Sequence, residues 1–265
     1  MPLLLTLFLF RIRAVTPPSN IPTPTSVMWI AAHPDDESIA APLLGKWCRE
    51  EHARCAFLIM TRGEGGTCLR SDGCLPDIAS IRSAEAGAAS QYFGATSILL
   101  TYPNTAGVAT PDWRSPSGDR PDAVTAVAHY IEAFHPSLIL TFDPRHGTTC
   151  HPDHMETGAI VLDAVKLLTY EPEVDLLETR VTFAFDPLVI HFAPALAGLQ
   201  RFDANQLLAS TQTPAWTEIT RDMERHPSQF DGSWLAAIQN VPSADRAVYV
   251  APAASVLGQS VPGCQ

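Results

Sequence analysis

The sequence predicts an α/β fold with a mostly parallel sheet flanked by helices, and three observations carry that expectation. Short apolar runs recur at residues 27–32, 53–61, 96–101 and 138–142. Segments of helical length and composition lie between them, at 38–51, 78–93 and 121–134. Strand and helix therefore alternate, as crossover helices require in a doubly wound sheet. The third observation is a repeated break. The first run stops at His33-Pro34-Asp35-Asp36-Glu37 and the last is followed by His151-Pro152-Asp153-His154-Met155-Glu156. Strand end, turn and helix start is where open α/β sheets place ligands.

Taken in order, residues 1–10 are strongly apolar, too short to span a bilayer, and followed by Arg11 and Arg13. No basic residue precedes them, as export signals normally require, so they read as a signal-peptide core, a truncated signal or a membrane-surface anchor, with export favoured. Residues 14–25 form a proline-rich linker, leaving 26–265 as one domain. The run at 27–32 is a buried strand. Pro34 suits a first helical turn, and Asp35, Asp36 and Glu37 crowd that helix's positive end. The strand at 53–61 runs into the glycine-rich 62–67, where close backbone approach is possible but no P-loop lysine is present. On the helix at 78–93, Arg82 and Glu85 are spaced for an exposed ion pair. Residues 105–120 form a long Pro/Gly/Ser-rich loop, a wall or lid over the site. His146, in the loop before the second motif, reads as exposed or hydrogen-bonded before it reads as a substrate contact. A helix at 152–168 shows an apolar face at Ile160, Ala164, Leu167 and Leu168. Beyond Tyr170 the order is less regular: strands at 181–185 and 188–192 (with His191 a buried structural histidine), helices at 213–226 and 232–239, and a strand at 247–250.

Composition sets limits. A chain of 265 residues can bury a sizeable core without staples. A net charge of −11 argues against nucleic acid and against an anionic membrane surface as partners. Among the six cysteines no C-x-x-C occurs, which disfavours a zinc ribbon. Cys68 and Cys74 flank a turn and are the best pair for a local disulfide, the alternative being six reduced thiols. Cys150 has no dedicated partner for a nucleophilic role.

Helix capping alone explains one acid in a first turn, but three adjacent acids repel one another unless a cation sits among them. Two imidazoles and a carboxylate hold a divalent metal with positions left open for water and substrate. His33, Asp36 and His154 supply that set, since residues three apart share a helical face. Asp35 is then placed to take a proton from water whose pKa the metal lowers. His151 is left to stabilise an oxyanion or protonate a leaving nitrogen as a cation, its tautomer held by Asp153 or a backbone carbonyl. The chemistry this describes is metal-assisted hydrolysis of an acyl bond.

These motifs, with Thr61-Arg62-Gly63-Glu64-Gly65, Ile81-Arg82-Ser83-Ala84-Glu85, Tyr102-Pro103-Asn104 and His226-Pro227-Ser228-Gln229, resemble the PIG-L/LmbE family of zinc-dependent N-acetylglucosamine deacetylases. The resemblance covers about residues 27–165 well. It implies a Rossmann-like fold and removal of acetyl from an N-acetylated amino sugar by metal-activated water. His33, Asp36 and His154 would hold Zn2+, with Fe2+ also compatible. Asp35 would be the base, His151 and Asp153 would assist, and Arg82, Asn104 and Glu64 would contact the sugar. Asn104 stands where many relatives carry Asp, and Thr149 where some carry Tyr.

The ligand set also fits a 2-His-1-carboxylate iron enzyme, although that class is usually all-β. A non-catalytic sugar-binding relative is a further reading, disfavoured by retention of Asp35. A bell-shaped pH profile is expected, with its alkaline limb from His151.

Overall fold

A computed structural model of the chain describes residues 21–104, 113–116, 118–182, 189–192, 196–261 and 264. The expectations for residues 1–13, for most of the 105–120 loop and for the His191 side chain lie outside the described part. Five strands run parallel: β1 (Ser26–Ala31), β2 (Arg54–Thr61), β3 (Thr96–Tyr102), β4 (Leu138–Phe142) and β5 (Glu173–Leu177). Downstream, β6 (Thr179–Thr182) and β7 (Val189–Phe192) pair antiparallel, and β8 (Gln200–Asp203) forms one edge of the main sheet. The short strands β9 (Leu207–Leu208) and β10 (Thr213–Pro214) pair with each other, and β11 (Ala247–Pro252) inserts antiparallel between β5 and β8. The seven-stranded order is β3-β2-β1-β4-β5-β11-β8.

β1 is the central strand, with Trp29 opposite Phe57 on one neighbour and Leu140 on the other. Both of its faces are buried. Val27, Trp29 and Ala31 join the core that holds Trp47, Phe57 and Trp216, while Met28 and Ile30 join the core that holds Leu58, Val127 and Ile160. A strand covered on both sides reads as a continuous apolar run, and that is why it was legible. Strand order reverses between β1 and β4, so the crevice beyond their carboxyl ends is the topological switch point.

The helices are α1 (Glu37–Leu44), α2 (Ile78–Phe93), α3 (Ala123–Phe134), α4 (Pro152–Ala164), α5 (Thr217–Met223), α6 (Gly232–Gln239) and α7 (Ala253–Val256). Asp77 and Asp122 cap α2 and α3 by accepting from the backbone N–H of Ser80 and Thr125 at 2.8 and 3.0 Å. None of the described helices is long and apolar enough to cross a membrane.

The departures from expectation have local causes. The helix expected at 38–51 is α-helical only to Leu44 and continues as a π-helical stretch over Gly45–Glu50. β5 escapes an apolar-run reading because Glu173 and Asp175 interrupt it. The helix expected at 213–226 begins at Thr217, since Thr213–Pro214 pairs as a strand. That expected at 152–168 ends at Ala164, and Leu167 is 61% exposed rather than on the buried face. All six cysteines are paired, as Cys48–Cys55, Cys68–Cys74 and Cys150–Cys264.

Candidate active site

The turns after β1 and β4 meet at the switch point. In the first, Asp36 Oδ2 accepts from the backbone N–H groups of Ala32 and His33 at 3.0 and 2.8 Å, which aims the carboxylate back across the turn. Its Oδ1 then lies 3.0 Å from His154 Nε2, and His33 Nδ1 lies 3.3 Å from that same nitrogen. The second turn supplies His154 from the first turn of α4, with its ring stacked on Phe142 at 4.2 Å. His33, Asp36 and His154, expected to converge, are brought together.

The outer nitrogens of both rings are engaged. His154 Nδ1 is 2.9 Å from the carbonyl oxygen of Gly147, and His33 Nε2 is 3.0 Å from Asp153 Oδ2. Those partners assign the ring protons outward, so the two inner nitrogens and Asp36 Oδ1 turn lone pairs on one point. A tetrahedral zinc ion with Zn–N bonds of about 2.0–2.1 Å would hold its ligand atoms roughly 3.3 Å apart. The donor set therefore fits a divalent metal. Electrostatics agree. Burial works against charge on His33, yet Asp36 and Asp153 outweigh it and raise its pKa to about 9. Burial likewise works to raise Asp36, but His154 and His33 hold its carboxyl well below the ordinary range. Acids that favour a proton at this point favour a metal ion as well.

Asp35 is set beside this group at a backbone φ of 106°, a left-handed conformation that costs a non-glycine residue energy. Glu37 supports it: Glu37 Oε2 accepts the Asp35 N–H at 3.1 Å, and Glu37 Oε1 pairs with buried His226 at 2.9 Å. Burial raises the Asp35 pKa, the Arg82 guanidinium 2.9 Å away lowers it, and Asp36 raises it again; the net shift is upward. A carboxylate so raised is better matched to taking a proton near neutrality.

Arg82 is buried and spans the site, donating to the carbonyls of Gly63, at 3.0 Å, and Pro34. The glycine-rich loop exists for this contact: a Cβ at Gly63 or Gly66 would lie 2.5 Å from the guanidinium. The exposed Arg82–Glu85 ion pair is not formed. Glu85 is buried and instead accepts from the Ser228 N–H and hydroxyl at 3.0 and 2.6 Å, tying α2 to the His226-Pro227-Ser228 turn.

Other expectations are redirected. Asp153 does not hold the His151 tautomer through its side chain; its carboxylate serves His33, and Asn104 Nδ2 donates to it at 2.9 Å. The His151 Nδ1 accepts the Asp153 backbone N–H at 3.2 Å. Burial and the rings of His154 and His33 push the His151 pKa down to about 4. That shift favours the neutral ring, and with Nδ1 accepting the Asp153 N–H its proton sits on Nε2, so the expected cationic role and alkaline limb find no support here. Asn104 Oδ1 accepts from Gly65 N–H at 2.9 Å, which orients the amide. Glu64 is exposed and does not line the cavity; it accepts the Asn104 N–H at 3.0 Å and braces that loop. His146 is buried, 3.1 Å from Glu178 Oε2, and away from the cavity. Cys150 is held in its disulfide with Cys264.

Sequence reasoning missed Glu37, Glu85 and His226 as supports. Their signal was present: a charged residue after the Asp pair, and a late His-Pro-Ser turn. Their partners lie 189 and 143 residues apart in the chain, too far for spacing to reveal.

The family model described as GlcNAc-PI de-N-acetylase, PIG-L, matches residues 28–165. A 1D-myo-inositol 2-acetamido-2-deoxy-alpha-D-glucopyranoside deacetylase 2 of Catenulispora acidiphila is 26% identical over 212 residues, covering 72% of this chain and 67% of that protein. Other curated deacetylases are matched over about half their length. Among solved structures, an N,N'-diacetylchitobiose deacetylase from Pyrococcus horikoshii superimposes with a TM-score of 0.58 at 16% identity, over 82% of this chain and 74% of its own. GalB, a 4-carboxy-2-hydroxymuconate hydratase from Pseudomonas putida, gives 0.57 at 14% identity, over 91% and 99%. These structural likenesses show the shared fold, and a hydratase among them means that the fold does not choose the reaction.

Proposed function

The chain belongs to the PIG-L family, and we propose that it is a metal-dependent N-deacetylase, removing acetyl from an N-acetylglucosamine-type amino sugar. The observation that carries this is the convergence of His33 Nδ1, His154 Nε2 and Asp36 Oδ1 beside Asp35, in the cavity at the switch point. A divalent ion there, with Zn2+ favoured over Fe2+, would polarise the amide carbonyl and lower the pKa of water. Asp35 takes the proton from the attacking water and returns it to the leaving nitrogen. His151, as a neutral Nε2–H donor, meets the developing oxyanion. Asp153 and Asn104 orient His33, and Arg82 holds Asp35. Residues 26–265 act as one catalytic domain.

The test is acetate and free amine released from N-acetylglucosaminyl glycosides by protein of known metal content. Stoichiometric release without oxygen consumption supports hydrolysis and excludes the oxygenase reading. Binding of the sugar without release overturns the enzymatic reading. Three disulfides that pair all six cysteines support an oxidising destination, so we place the protein outside the cytosol. Thiol alkylation of protein taken directly from cells, with no free thiol expected, checks this.

A further inference from the structure

Resting on the deacetylase reading, we propose that the amino sugar's aglycone is a hydrocarbon group, alkyl or aryl, seated against the sugar in the apolar half of the catalytic cavity. The cavity has a volume of about 500 Å3, within the range of sites that enclose a small ligand. Its two ends differ in chemistry. The polar end carries Arg82, Asn104, Thr67 and Gln229, with the candidate metal ligands beside them. The other part is walled by Ile39 from α1, Trp216 and Ile219 at the start of α5, Met223, Phe230 and Ile238, which pack in one hydrophobic cluster. Ser38 and Thr179 also line the cavity, the Ser38 hydroxyl donating to Asp222 and the Thr179 hydroxyl accepting from the Tyr249 N–H. The one polar atom of the Trp216 side chain, Nε1, donates to the Ile238 carbonyl at 3.0 Å, leaving a carbon surface toward the cavity. Trp234 meets Phe230 edge-on at 5.8 Å and extends the same wall.

Aromatic faces alone would accept the carbon face of a second sugar. Here isoleucine and methionine pack with them in one cluster, and these side chains return no hydrogen bond to a hydroxyl that has given up water. Among the described residues, an inositol or a second sugar against this cluster would lose water and gain few hydrogen bonds in return. The hydrocarbon does not come from the acyl side, because an acetyl group is too small to fill the wall. A hydrocarbon aglycone joins the sugar at the polar end to the surface at the apolar end within one cavity.

The experiment uses alkyl N-acetylglucosaminides with methyl, butyl, hexyl and octyl aglycones, kept below micelle-forming concentrations. A parallel series keeps the methyl aglycone and lengthens the N-acyl group from acetyl to octanoyl. Burying a methylene is worth about 0.8 kcal/mol, so kcat/KM should rise about fourfold per methylene along the aglycone series until the cavity is filled. Phe230→Ala and Trp234→Ala should flatten that gain. A flat aglycone series in which the methyl glycoside is still hydrolysed overturns the proposal and leaves the deacetylase reading standing. A gain confined to the N-acyl series overturns it too. If no glycoside releases acetate, the deacetylase reading fails. Tryptophan fluorescence titration then decides the cavity's preference: octyl glycoside binding at least tenfold tighter than methyl supports it, and equal affinities overturn it.

Discussion

The turns after β1 and β4 crowd the candidate metal ligands and the candidate base into two short motifs. The segment from Trp216 to Ile238 builds its side of the cavity mainly from apolar side chains and, behind them, a buried set of supports. In the first region each functional group lies on the segment that leaves a strand end, and groups of the two turns orient one another, as the Ala32 and His33 N–H groups orient Asp36 and Asp153 orients His33. In the second, His226, Asp222 and Ser228 act at a distance, through Glu37, Ser38 and Glu85. The difference separates reactivity, which is local, from the holding of geometry and the choice of substrate, which are not.

The sharpest way to break this division is His154→Ala. It should empty the metal site by elemental analysis and lower kcat/KM at least about a thousandfold, as loss of several kcal/mol of charge stabilisation implies. Retained metal would mean that the two turns do not share an ion. Asp35→Asn should keep the metal and lower kcat by about 10²–10⁴, the usual worth of a positioned general base. An unchanged rate would remove Asp35 from the chemistry.

The distant supports are tested through stability. His226→Leu strands the buried Glu37 carboxylate and should cost about 3–5 kcal/mol in urea unfolding near pH 6. The sign with pH is set by the native pKa. Burial disfavours charge on His226, but Glu37, Asp222 and Asp35 outweigh it and raise its pKa from 6.5 to about 9. Its stabilisation is therefore complete below about pH 6.5 and is lost as pH climbs through 9. Asp222, raised to about 8 by burial and by Glu37, acts in the same direction. Wild-type stability should fall across that window, and His226→Leu should reduce the slope. A wild-type profile flat between pH 6.5 and 9 would contradict the charged pair. The smallest effect is expected within the first region: Asp153→Asn should weaken metal affinity about 10–100-fold, as loss of a partner to a ligand histidine usually does. Metal titration of the variant measures it.

Much of this was readable without coordinates. Continuous apolar runs betray central strands because both faces are buried, and a proline-led acidic turn betrays a helix start. The doubled His-Pro-Asp motif therefore located His33, Asp36 and His154 and placed Asp35 beside them. Side-chain partners were not readable. Arg82 and Glu85 look like neighbours on a helix, yet they turn to Asp35 and to Ser228. Asp153 looks like a partner for His151, yet it serves His33. Glu64 looks like a sugar contact, yet it braces the Asn104 loop. Sequence alone determined which groups could do chemistry and which strands would carry them, because spacing along one element sets which side chains share a face. Only the tertiary structure decided which atom each group meets, which nitrogen keeps its proton and which wall is apolar. Hydrogen bonds and burial act through space at a few ångströms, whatever the separation along the chain.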